Sequence, residues 1–147
     1  WRYRAKRDTI DQRIKNGVNA TFEEGTSELL RSTKQQLIEY FNDDRSVFDL
    51  PLMLIGTDFQ KSVWNALLDI PYGISKTYKA LSKELGNVDA IRAVASANGA
   101  NALSIIIPCH RIIGSSGELI GYAGGVSAKK KLLKLENSML NNQYNLF

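Results

Sequence analysis

Cysteine and histidine are almost missing from this chain: in 147 residues each occurs once, side by side, as Cys109 and His110. A single thiol closes no internal disulfide, and one cysteine with one histidine cannot build an ordinary structural zinc site. Proline is scarce as well, confined to Pro51, Pro71 and Pro108. No apolar run approaches the roughly 20 residues needed to span a bilayer, and no basic-then-apolar leader opens the chain. These absences point to a soluble, cytoplasmic protein in reducing surroundings. The first residue is Trp1 rather than methionine, which leaves room for residues ahead of it.

What is present suffices for a packed core: 44% of residues are apolar, enough for one medium domain or two small ones. The net charge of +4 is unevenly placed. Residues 1–56 hold nine Lys/Arg against nine Asp/Glu, and residues 57–147 hold ten against six. A basic second part suggests an anionic partner, nucleic acid being the commonest, although a solvated lysine-rich surface accounts for it equally.

Residues 1–15 are basic and weakly patterned, and no role can be assigned to them. From Ser27 to Phe41 the spacing of Leu30, Lys34, Leu37 and Phe41 predicts an amphipathic helix, with Lys34 snorkelling from its apolar side. Phe48, Leu50, Leu52 and Leu54 alternate with Asp49, Pro51 and Met53 in strand periodicity, and Pro51 demotes that strand to an edge. Gly56 divides this first region from the second. Thr57-Asp58-Phe59-Gln60 has the capping-box pattern, so a helix starts there; it carries Phe59, Val63, Leu67 and Ile70 on one stripe and stops at Pro71-Tyr72-Gly73.

A second helix is predicted over 77–85, ending at Gly86. A third, 90–98, is capped by Asp89 after a Gly86-Asn87-Val88 turn. The pair is a helix-turn-helix candidate, a pattern shared with many helical hairpins that never meet DNA. Its second helix is slim, with Ala90, Ala93, Ala95, Ser96 and Ala97, and Arg92 is its one long cation. Such an arginine can enter a base stack or bind phosphate, or simply pair with a carboxylate.

Ile105, Ile106 and Ile107 predict a buried strand running into Pro108-Cys109-His110-Arg111. That strand would bring the thiol to a surface break beside two cationic groups, which favour thiolate. A lone buried cysteine is otherwise an inert apolar residue. Beyond it lie a Gly114-Ser115-Ser116-Gly117 turn and a glycine-rich loop, Gly121-Tyr122-Ala123-Gly124-Gly125. A last helix opens near Ser127 with Lys129, Lys130 and Lys131 in its first turn, against the helix dipole. Glu136 shares an apolar stripe with Leu132, Leu133, Met139 and Leu140. A carboxylate there needs a partner, and the sole histidine is the most economical one. Cys109, His110 and Glu136 thus divide the work of thiol, base and base-orienting group. Adjacent side chains diverge, so His110 would reach the sulfur through a water.

The run Ile107-Pro108-Cys109-His110-Arg111, with Arg92-Ala93-Val94 and Asn101 before it and Gly121-Tyr122-Ala123-Gly124-Gly125 and Glu136 after it, resembles the O6-alkylguanine-DNA alkyltransferases, or methylated-DNA–protein-cysteine methyltransferases. The match extends from about Gly56 through Glu136 and includes Val63-Trp64 and Ile70-Pro71-Tyr72-Gly73. Before Gly56 it is loose.

The resemblance implies an α/β (α+β) fold. Residues 1–55 would form a small N-terminal α/β domain, and residues 56–147 a mostly helical, winged-helix-like domain that binds double-stranded DNA through its minor groove. It implies that O6-alkylguanine, and O4-alkylthymine with it, is flipped out and its alkyl group moved irreversibly to Cys109, with no cofactor and no metal, by a monomer. His110, Glu136 and a bridging water would take the thiol proton while Asn101 braces the network. Tyr78 would assist the leaving guanine, and Arg92 would fill the gap in the stack. Thr77, Ala90 and Ser96 would meet the DNA, and Tyr122, Ala123, Gly124 and Lys129 would line the pocket. Ala123 stands where many members have serine, Ser104 where proline is frequent, and Asn98 where others carry a larger apolar residue; all three bear on substrate breadth. Three rivals differ in chemistry: an alkyltransferase-like protein, which would lack the acceptor cysteine, a Cys-His-Glu hydrolase with turnover, and a plain DNA-binding module.

Overall fold

Residues 6–137 are described in the computed structural model. In chain order they form α1 (Arg7–Val18), α2 (Glu28–Phe41), α3 (Asp58–Leu68), β1 (Lys76–Thr77), α4 (Tyr78–Glu84), α5 (Ile91–Gly99), β2 (Ile112–Ile113) and α6 (Val126–Leu135). Short 3₁₀ turns at Val88–Ala90 and Cys109–Arg111 lead into α5 and β2. The fold is of the helix-rich α/β type, with its sheet reduced to one parallel pairing, Lys76 beside Ile112 and Thr77 beside Ile113.

Local chemistry sets the helix ends. Thr57 Oγ1 accepts from the Gln60 N–H at 3.2 Å while Gln60 Oε1 accepts from the Thr57 N–H at 3.0 Å, so α3 starts on a complete capping box. Thr77 Oγ1 accepts from Ala80 N at 3.0 Å and starts α4. At its far end Gly86 takes φ 83°, a conformation only glycine adopts freely, and lets Asn87 N–H reach back to Ser82 O at 3.0 Å. Asn87, not Asp89, provides the next cap: its side chain accepts from Asp89 N, and α5 begins only at Ile91, after the 3₁₀ turn.

The main core lies between α3, α4, α5 and the Cys109 segment. Val63, Trp64, Leu67, Ile70, Leu81 and Val94 are buried in it, each contributing about 1.5–3 kcal/mol or more by leaving water. Trp64 Nε1 also donates to Ala97 O at 2.9 Å, tying α3 to the slim face of α5. The basic opening of the chain acquires a place here. Arg13 of α1 stacks over the Trp64 ring at 5.1 Å, and its Nη2 donates to Ala100 O at 2.9 Å.

Three expectations fail for identifiable reasons. The 48–54 segment forms no strand, because the Gln36 side-chain amide occupies its backbone: Gln36 Nε2 donates to Asp49 O at 2.9 Å and Asp49 N donates to Gln36 Oε1 at 2.8 Å. Before Gly56 the described residues therefore form two helices and connecting segments without a strand. On α2 the inward positions are Gln36 and Tyr40, whereas Leu30 and Phe41 are 55% and 52% exposed, since the polar ends of Gln36 and Tyr40 have partners inside. Ile105–Ile107 also fails as a strand. Ile105 turns left-handed at φ 79°, and Asn101 folds the segment back by donating from Nδ2 to Ile107 O at 2.9 Å and accepting from Leu103 N at 2.9 Å. Two further expected stripe residues, Met139 and Leu140, lie outside the described residues. No described helix is long and apolar enough to cross a membrane.

Thr57→Ala removes one half of the capping box far from the thiol. The expected cost is about 1 kcal/mol, seen as a lower thermal midpoint, with the reactivity of the folded protein unchanged.

Candidate active site

Pro108 brings the chain into the 3₁₀ turn Cys109–Arg111, in which Arg111 N–H donates to Pro108 O at 3.0 Å. All three side chains of the turn are buried, and those of His110 and Arg111 both reach Glu136. Cys109 is only 3% exposed, so the thiol lies within the core rather than at a surface break.

His110 is wholly buried, with Nε2 2.8 Å from Glu136 Oε1. Glu136, at the C-terminal cap of α6, is equally buried and gathers donors from elsewhere in the chain. Arg111 gives Nε to Oε2 at 2.9 Å and Nη2 to Oε1 at 3.0 Å, a bidentate clamp, and Tyr40 of α2 donates its hydroxyl to Oε1 at 2.7 Å. Arg111 Nη1 also donates to Ile70 O at 2.5 Å. Arg111 thus serves the carboxylate. The expected pair of cations beside the thiol is not there, because the guanidinium finds a better-matched planar partner in Glu136.

Burial alone would raise the Glu136 carboxyl, but the bonds and charges of His110 and Arg111 outweigh it and hold the group at about 2. Burial lowers His110, the Glu136 contact opposes this, and the net direction is down, so the imidazole is neutral. An ionised Glu136 can only accept, hence Nε2 carries the ring proton and Nδ1 keeps its lone pair. Nδ1 is buried and has no hydrogen-bond partner among the described residues. A neutral ring nitrogen with its lone pair free can accept a proton.

Beside the Cys109 backbone stand Asn98, from the last turn of α5, and its partner Tyr78, from the first turn of α4. Asn98 Nδ2 lies 3.3 Å from Tyr78 Oη and 3.5 Å from Cys109 O. Burial raises the Tyr78 hydroxyl, with Cys109 adding to the rise and Asn98 opposing it. Gly121, at φ 62°, makes room here: a Cβ on it would sit 2.9 Å from Tyr78 Oη. Tyr122 comes next, its ring edge-on to His110 at 6.4 Å.

Of the other expected pocket residues, Ala123 and Gly124 are half-buried beside Tyr122. The Lys129 ammonium is buried and donates to Ile112 O and, at 2.6 Å, to Ile120 O, so it ties β2 to the residue before the glycine-rich loop. Burial brings it down to about 8, and the nearby Cys109 pulls the other way. Lys130 and Lys131 are exposed.

Asn101 braces the 103–107 turn. Arg92 and Ser96 are exposed on α5, Ala90 is half-buried at its start, and Thr77 spends its hydroxyl as the α4 cap. The sequence pattern does not reveal Tyr40, Asn98 or the carboxylate-facing role of Arg111. Tyr40 sits beside the more conspicuous Phe41, and no local pattern signals a partner 96 positions away.

A helix-turn-helix with a core thiol behind it, next to an imidazole fixed by a buried carboxylate, defines a helix-turn-helix protein with a nucleophilic cysteine. Comparison with known proteins makes this specific. Residues 58–138 match the family model for the DNA-binding domain of 6-O-methylguanine DNA methyltransferase. A methylated-DNA–protein-cysteine methyltransferase of Methanosarcina acetivorans is 51% identical over 76% of this chain and 71% of its own length. The crystal structure of Mycobacterium tuberculosis OGT in complex with DNA superposes with a TM-score of 0.72 at 49% identity, covering 74% of this chain and 66% of that one. The O6-methylguanine-DNA methyltransferase of Pyrococcus kodakaraensis gives 0.66 at 28% identity, covering 88% and 75%. The chain belongs to the methylated-DNA–protein-cysteine methyltransferase family.

The site sets an acid limit on stability. Glu136 is depressed in the fold, so its contribution is complete above the unfolded carboxylate value of about 4.5 and is lost as pH falls through about 2. His110 is depressed too, and costs stability as pH falls below its ordinary 6.5. Denaturation midpoints are therefore expected to fall from near pH 6.5 downward. The wild type's advantage over Glu136→Gln should be on the order of 3 kcal/mol at neutral pH and vanish by about pH 2.

Proposed function

We propose that the chain repairs O6-alkylguanine, and O4-alkylthymine with it, in double-stranded DNA, and that Cys109 is the acceptor. Membership of the family at 51% identity makes it a DNA-repair protein with methylated-DNA–[protein]-cysteine S-methyltransferase activity. The observation that carries the residue assignment is the His110 Nε2 to Glu136 contact at 2.8 Å, which leaves a buried imidazole lone pair on the residue that follows Cys109.

In this mechanism Nδ1 of His110, through a water, takes the Cys109 proton, and Glu136 stabilises the imidazolium that results. The sulfur attacks the alkyl carbon. The S–C bond forms, the C–O6 bond breaks, and its electron pair stays with the guanine, which takes a proton from Tyr78. Solvent then returns a proton to Tyr78 and removes the one on His110, so no net proton is consumed. The thioether has no leaving group, and each molecule acts once. Asn101 contributes by holding the turn that carries Cys109.

The helix-turn-helix supplies the target. With Arg92 exposed on a small-residue face, α5 enters the minor groove. Arg92 fills the space left by the flipped base, while Thr77, Ala90 and Ser96 lie along the same surface. Tyr122, Ala123 and Gly124 line the base pocket. The division at Gly56 into a small N-terminal domain and a DNA-binding alkyltransferase domain belongs to the same proposal, as do a monomeric state and a cytoplasmic location.

Incubated with duplex DNA containing O6-methylguanine, the intact protein should gain one methyl group per molecule, on Cys109, and Cys109→Ser should gain none. Turnover or an unchanged mass would sink the assignment. Arg92→Ala should slow repair of the duplex far more than reaction with free O6-benzylguanine, because only the duplex needs base flipping; equal losses argue against a role in the stack.

A further inference from the structure

We propose that Asn98 is a positioning residue for alkyl transfer: its side-chain amide fills the oxygen lone pair of Tyr78 and so leaves the Tyr78 proton aimed at the departing base. The proposal rests on the role assigned to Tyr78 above and names the group that makes that role possible.

Asn98 is 2% exposed, and one of its terminal atoms faces both Tyr78 Oη, at 3.3 Å, and Cys109 O, at 3.5 Å. A backbone carbonyl only accepts, so the atom between the two oxygens is the amino nitrogen, and it donates to Tyr78. A tyrosine whose oxygen accepts from a neighbour keeps its own hydrogen for another direction. The open direction lies toward Gly121, where the missing Cβ leaves the hydroxyl clear on the side of the Gly121–Tyr122 loop. An apolar side chain at position 98 would fill the same space and leave that hydrogen free to rotate. A bond from Asn98 also stabilises the phenolate that forms when the proton leaves, and burial makes such help valuable. The contact with Cys109 O, at 3.5 Å, sets the backbone of the acceptor residue and the proton donor on one amide group.

The test measures alkyl-transfer rates with free O6-benzylguanine, which needs no base flipping, for Asn98→Leu, Tyr78→Phe and the double variant. The measurements are repeated with O6-benzyl-8-azaguanine, whose leaving base is more acidic and depends less on a proton donor. Asn98→Leu should react about tenfold more slowly with O6-benzylguanine. The double variant should be no slower than Tyr78→Phe, and both single deficits should shrink with the 8-aza compound. Losses that multiply, or a deficit indifferent to the leaving base, overturn the role of Asn98. Wild-type rates for Tyr78→Phe overturn the Tyr78 assignment itself, and this proposal with it. Should Asn98→Leu not fold, Asn98→Asp decides. Of the same shape, it offers only acceptors and draws the Tyr78 hydrogen to itself, so a loss of at least tenfold is expected and a wild-type rate refutes the proposal.

Discussion

One ionised carboxylate without water around it governs how this protein is put together. Glu136 cannot be buried charged unless its oxygens are saturated, because a lone buried anion costs several kcal/mol after relaxation. The donors that satisfy it come from separate parts of the chain: the Tyr40 hydroxyl from α2, the Arg111 guanidinium and the His110 ring from the turn after Pro108, and the Gly73 N–H, at 3.5 Å, from the connection after α3. Each has to arrive at the same point for any of them to be worth burying. Helix α2 is therefore part of the site's construction, and so is the Pro71-Tyr72-Gly73 corner.

The same saturation decides the reactivity of the Cys109-His110 pair. With Arg111 committed to Glu136, the cluster balances one negative charge with one positive, and the imidazole stays neutral as an acceptor at Nδ1. Cys109 is only 3% exposed, so its sulfur is shielded from solvent. This suits a protein whose nucleophile is used up in the reaction: an exposed thiolate would be lost to oxidation or stray electrophiles before it met its target.

Much of this could be read along the chain where the signal was local. The capping box at Thr57, the turn at Gly86 and the placing of Glu136 with Leu132 and Leu133 all depend on residues within one helical turn, and all appear in the fold. The errors arose where a side chain took the place of a backbone partner. Phe48 to Leu54 alternates like a strand because one face does pack inward, but its partner is the Gln36 amide rather than another strand. Ile105 to Ile107 has strand composition, yet Asn101 closes it into a turn and Ile105 accepts a left-handed backbone that β-branched residues avoid. On α2 hydrophobicity misled the phase, because the inward residues were those whose polar ends had somewhere to go.

The parallel pairing of Lys76 with Ile112 and Thr77 with Ile113 involves only two residues on each strand, but its position gives it weight. One strand runs directly into Tyr78 and the first helix of the helix-turn-helix, and the other leaves directly from Cys109, His110 and Arg111. It is the gauge between the surface that would meet a nucleic acid and the atom that would receive the alkyl group. A slip of one residue would shift the two by about 3.3 Å and turn the side chains over, more than a hydrogen bond or a nucleophilic approach tolerates. That register fixes how far the helix pair stands from the Cys109 segment.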